Sequence, residues 1–182
     1  MSPRGGLLWS LAVATLVVYA AMVLWSLPHI TQQAGGLRPF DIRPAGYSEA
    51  EARAFLAALS EDGRRFYLST QHRLDLVYPA LLAATLGLAI WRVFSTLPVF
   101  ARTALALVPA MGAAYDYLEN ARVAGLLALG AGGLSADALA AASRATVFKS
   151  GFTAAGFAVL LAGVLLEGLR RRRRRRRGPR KG

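Results

Sequence analysis

Cysteine is absent from this chain. Disulfides, thiolate nucleophiles, Cys-ligated zinc and iron–sulfur clusters are therefore excluded. Histidine is nearly absent: His29 and His72 are the only two, which leaves imidazole chemistry few places to occur. Acidic residues are scarce, ten against twenty-two Lys and Arg. There is no Gly-x-Ser-x-Gly elbow, no His-Glu-x-x-His pair, no phosphate loop and no dinucleotide-binding glycine pattern. The sequence thus assigns no catalytic residue, no cofactor and no metal, and an enzyme is not the expected class. A metal site built from His72, Asp75, Asp116 and Glu119 lacks a recognised ligand spacing, and Lys149 would oppose a cation there.

What is abundant is apolar sequence. The chain has 182 residues and is 55% hydrophobic. Its net charge of +12 is concentrated at one end: from Arg170 onward stand ten basic residues and no acid, leaving about +2 on the rest. Four apolar stretches follow one another, at about 6–27, 74–93, 103–129 and 138–169. Each is near or above the roughly 20 residues that a helix needs to span hydrocarbon. The expectation is an all-α, four-helix transmembrane bundle over residues 1–169, followed by a disordered basic tail over 170–182. The first stretch reads as a retained anchor rather than a signal peptide, because it outruns a typical signal core and lacks a clean small-x-small exit. Pro28 marks its expected end.

The connection over 28–73 is polar. Gly35-Gly36, Pro39 and Pro44 make its first half irregular. Ser48-x-x-Glu51 has capping-box spacing, and Phe55, Leu56 and Leu59 give an apolar face. A short amphipathic helix over about 49–62 is expected, with Gly63 as its stop. Ser135 is placed to cap the last span. Gly151-x-x-x-Ala155 offers small residues for close helix approach.

Topology follows from the basic residues. The Arg tail puts the C-terminus in the cytoplasm, and four spans put the N-terminus there too. The expected location is the cell (inner) membrane, multi-pass. The six arginines between His29 and Arg73 run against that orientation. The basic run Arg170–Arg177 is expected to contact anionic lipid headgroups, at about 1 kcal/mol per residue near the surface. Nucleic acid is not an expected partner.

Charges inside the apolar stretches are the best functional lead. On the insertion scale each costs about 2.5–3.5 kcal/mol at a helix centre. Asp116, Glu119 and Asn120 lie at i, i+3 and i+4 on one face of the third stretch. Thr146, Lys149, Ser150 and Thr153 form a stripe on the fourth. If the second helix begins near Arg64, then Arg64, Tyr67, Gln71, Asp75 and Tyr78 form a third stripe. At 1.5 Å per residue, Asp116 lies roughly 21 Å along its span and Lys149 roughly 16 Å along the opposite one. The three stripes should therefore face one another in the outer half of the bundle. Two roles are open: a polar cavity that binds or passes a small polar ligand or ion, and a non-catalytic scaffold or accessory subunit whose buried charges fix helix register. A single four-span chain makes a thin channel, so passage would call for a homo-oligomer.

Gly46-Tyr47-Ser48, Gly63-Arg64-x-x-Tyr67, Asp75-x-x-Tyr78-Pro79 and Asp116-x-x-Glu119-Asn120 occur in this order over roughly residues 41–120. In that order they resemble a group of bacterial four-span integral membrane proteins of uncharacterised activity. The resemblance implies no reaction. It does imply that Arg64, Tyr67 and Asp75 belong with the acidic site.

Overall fold

A computed structural model describes residues 3–130 and 132–176. Every regular element among them is helical. Helix α1 (Pro3–Ala21) widens into a π-type turn at Met22–Ser26 and continues as α2 (Leu27–Gln33). Pro28 therefore does not end the first rod. It follows directly on the π-type turn, where the locally widened helix accommodates a residue without an N–H. Helices α3 (Glu49–Ala58) and α4 (Glu61–Phe66) follow. A second π-type turn, Tyr67–Gln71, joins α4 to α5 (His72–Val93). Helices α6 (Val99–Leu129) and α7 (Ala136–Arg176) complete the chain.

Three rods are long and apolar enough to cross a membrane: Gly6–Gln33, Glu61–Val93 and Ala136–Arg173. Few of their apolar side chains are buried inside the protein; Leu16, Leu161 and Leu165 stay well exposed. That distribution suits a multi-pass membrane protein whose rods are solvated by lipid. Helix α6 is 31 residues long but is not among the three. Asp116, Glu119 and Asn120 lower its hydropathy.

Packing is ordered by α5, which lies against α1, α6 and α7, while α6 also packs along α7. Close approach depends on glycines other than those expected. A Cβ at Gly156 would lie 3.3 Å from Pro109 Cγ, and one at Gly163 would lie 2.5 Å from Val93 Cγ1. Gly151 faces open space, so its pairing with Ala155 brings no helix close.

The connection after α2 folds back as a cap over one end of the rods. The capping box forms: the Ser48 hydroxyl accepts from the Glu51 amide at 3.2 Å, and the Ser48 amide donates to the Glu51 carboxylate at 2.7 Å. Helix α3 buries Ala52, Phe55 and Leu56 against Phe40 and the ends of α6 and α7. The helix stops at Ala58, short of Gly63. Ser60 opens α4 by accepting from the Gly63 amide at 3.0 Å, and its own amide donates to the Gln33 carbonyl at 2.9 Å. Gly63 thus lies inside α4 and serves contact instead of termination. A Cβ there would stand 2.5 Å from Gln33 Cβ.

The basic run through Arg176 continues α7 as helix, contrary to the expectation of a disordered tail. Arginine is a good helix former, and Arg171 Nε donates to Glu167 one turn earlier at 2.8 Å. The tail expectation for 177–182 lies outside the described residues.

Candidate functional site

The site lies where the cap meets the rods. Both π-type turns stand at this level and touch each other. Each inserts an extra residue into its helical turn and shifts the side chains that follow. Ser26, at the end of the first, donates through Oγ to Gln71 Oε1 at 2.6 Å, at the end of the second. Gln71 Nε2 then donates to Asp75 Oδ1 at 2.8 Å. All three side chains are buried. From α6, Asn120 Nδ2 donates to the Asp75 backbone carbonyl at 3.0 Å.

A second cluster surrounds Lys149 of α7. Its ammonium pairs with Glu119 Oε2 and lies 3.7 Å from Asp116 Oδ1. Glu119 is fully buried, and its other oxygen accepts from Thr146 Oγ1 at 2.5 Å. Helical phase had placed Asp116, Glu119 and Asn120 on one face of α6 and Thr146 and Lys149 on one face of α7. The structure brings these faces together. Removing Lys149 would strand two carboxylates without water, which makes the cation the costliest member to lose.

The two clusters share a cavity of about 480 Å³. Asp75, Tyr78 and Asp116 line it, with Lys149, Ser150 and Thr153 across from them. Tyr78 stacks on Tyr19 of α1, with ring centroids 5.8 Å apart. Two residues with no place in the sequence reading complete the site. Asp41 enters from the cap, lines the same cavity and accepts a hydrogen bond from the Tyr67 hydroxyl. Ser26 fixes Gln71 from the first rod. Neither lies on a polar helical stripe, so periodicity gave no signal for them. The Asp41 segment is held in place by Gly46, whose φ of +83° favours glycine and whose absent side chain leaves room for Ser143 Oγ. Ser143 Oγ in turn accepts from the Tyr47 amide at 2.9 Å. Burial pushes the Tyr47 phenol above its ordinary value, and the nearby Glu119 carboxylate adds to the shift.

Arg64 does not join the acidic site, although the resemblance implied that it would. Its guanidinium packs against Gly130 at the C-terminal end of α6, where the helix dipole favours a cation. Tyr67 points to Asp41 rather than to a carboxylate on a neighbouring span. His72 borders a hollow of about 10 Å³ beside Tyr67, Asp75 and Asn120, room for a single water molecule at most. Among the described residues, no three His, Asp or Glu side chains stand close enough together to enclose a metal ion.

The arrangement can hold a positively charged or hydrogen-bonding guest among Asp41, Asp75 and Asp116. The chain matches no family model, no curated protein and no solved structure.

Proposed function

We propose that this chain is a four-span protein of the cell (inner) membrane that binds or passes a small polar ligand or ion in the cavity beside Lys149. The observation that carries the reading is the concurrence of a cavity of about 480 Å³ with Asp41, Asp75, Asp116 and Lys149 on its wall. Purely structural charges are best enclosed by protein on every side, whereas these border open volume.

Helix α6 supplies the fourth span. Its 31 residues extend for about 46 Å, more than a bilayer core requires. It packs along α5 and α7, so its polar segment faces protein instead of lipid. The polybasic end of α7 and Arg102 support cytoplasmic termini. Arg102 lies over the Trp91 ring at 4.1 Å and donates to the Trp91 carbonyl at 2.8 Å, an arrangement suited to an interfacial anchor. Arg170–Arg173 are exposed on the last turns of α7 and offer charge to anionic headgroups.

The scaffold reading has its own support in Glu119, which is fully buried and bonded to both Lys149 and Thr146. Substitution of Asp116 by Asn separates the two readings. Ligand binding or uptake in reconstituted vesicles should fall at least tenfold while the thermal midpoint of the purified protein stays near wild type. Unchanged binding with a lowered midpoint would favour the scaffold.

A further inference from the structure

The cavity has two ends of different chemistry. Toward the cap stand Asp41, Asp75 and Asp116, with Lys149 held between Asp116 and Glu119. Toward the middle of the rods stand Tyr19, Leu82 and Phe157. Three Asp carboxylates line the space and Glu119 lies behind it, yet Lys149 is the one basic side chain on the wall among the described residues. In a low-dielectric setting such a surplus of acid is balanced by a cation or by protons.

The cavity also opens sideways. Helices α1 and α7 both wall it, but α1 rests on α5 and has no comparable packing along α7. At the gap, Tyr19, Val23 and Phe157 are 48%, 38% and 51% exposed. They belong to two rods apolar enough to cross a membrane, so on the membrane-spanning reading the mouth faces lipid. A second hollow of about 420 Å³ adjoins along Val23, Leu27 and Ile42 and extends the apolar path.

Resting on the ligand-binding reading above, we infer that the occupant is an amphiphilic organic cation, an alkylamine or alkylammonium, that enters from the membrane between α1 and α7. Its head sits among Asp41, Asp75 and Asp116, and its chain lies along Tyr19, Leu82 and Phe157. A bare metal ion needs three or more ligands at close range, whereas an ammonium is satisfied by carboxylates spread around a wider space. The stacked Tyr19 and Tyr78 rings add aromatic faces for such a head. The volume suits a head and part of a chain.

The test uses the full chain in phosphatidylcholine nanodiscs and a dodecylamine bearing a diazirine in its chain. Photolabelling followed by peptide mapping should mark α1 around Tyr19 and α7 around Phe157. Dodecyltrimethylammonium should compete at least tenfold better than tetramethylammonium, and dodecyl phosphate should not compete. Ala154→Trp narrows the mouth without touching an acid and should cut competable labelling at least fivefold. Asp75→Asn/Asp116→Asn should do the same, with the thermal midpoint of each variant checked for folding. Equal competition by tetramethylammonium would overturn the amphiphile and leave a small-cation site standing. Labelling unchanged by Ala154→Trp would overturn entry between α1 and α7. Failure of the underlying reading looks different: no cation competes at all, and the Asp variants label like wild type.

Discussion

Phe40, Phe55 and Leu56 in the cap are at most 1% exposed, while Leu16, Leu161 and Leu165 on the rods are between 58% and 64% exposed. The residue types are alike and the surroundings are opposite. The cap packs as a water-soluble domain does, with apolar side chains turned onto one another and edge-to-face rings such as Phe40 and Phe55 at 4.9 Å. The rods turn theirs outward, because hydrocarbon leaves no hydrophobic drive between helices, and keep small or polar residues where helices meet. Gly112 against Thr153 and Gly156 against Pro109 are examples. The site occupies the seam between these regimes: Asp41 comes from the cap, and Asp75, Asp116 and Lys149 come from the rods. A polar cluster there can be held rigidly from one side and reached from the other.

The comparison can be broken most forcefully at the seam. Lys149→Met should lower stability by about 3–5 kcal/mol, since Glu119 and Asp116 lose their cation while remaining buried. Thermal unfolding of purified protein would show it as a large drop in midpoint. The combined Lys149→Met/Asp116→Asn/Glu119→Gln variant should recover most of the loss, because no stranded charge remains. A triple variant as unstable as the single one would show that packing, not charge balance, sets the cost.

A matched pair of truncations sharpens the contrast between cap and rods. Leu56→Ala removes a side chain that is 1% exposed and should cost about 2–5 kcal/mol. Leu161→Ala makes the same chemical change at a residue that is 60% exposed and should stay within about 0.5 kcal/mol. Denaturation in one detergent reads both. Equal losses would mean that Leu161 packs against protein and that α7 is not lipid-facing there.

The smallest effect lies at the exposed start of the cap helix. Ser48→Ala should cost about 1 kcal/mol. Hydrogen bonds from the Ser48 amide and then the Ser48 hydroxyl hold the Glu51 carboxyl below its ordinary range. The group's contribution is therefore complete above the usual carboxylate value and lost as pH falls through the lowered folded value. Acid titration of stability should show a shallower loss in Ser48→Ala, because one of the two bonds is gone. Leu161→Ala should follow wild type in the same titration, because its capping box is intact.

Part of the site was legible because helices repeat. The i, i+3, i+4 spacing of Asp116, Glu119 and Asn120, and the stripe holding Thr146 and Lys149, predicted facing surfaces, and those residues meet. The run from Arg64 to Tyr78 was less readable. A π-type turn at Tyr67–Gln71 breaks the regular phase, so Arg64 is carried off to Gly130 while Gln71 and Asp75 stay inside. Gly151 failed as a contact for the related reason that spacing identifies a face without saying which neighbour covers it. The extension of α7 through Arg176 went against the charge run, since helix propensity and the Glu167–Arg171 bond support continuation.

The residue order alone determined the main helical stretches, the capping box and the shared faces of Asp116 with Glu119 and of Thr146 with Lys149, because 3.6-residue periodicity and local hydrogen bonding act within a few positions of one another. Only tertiary structure decided that Asp41 and Ser26 join the site, that α1 stands apart from α7, and that the charges border an open cavity. Those outcomes depend on how a loop without periodic pattern folds over distant helices, and no local rule relates residues as far apart as Asp41 and Tyr67 or Ser26 and Gln71 until the chain has packed.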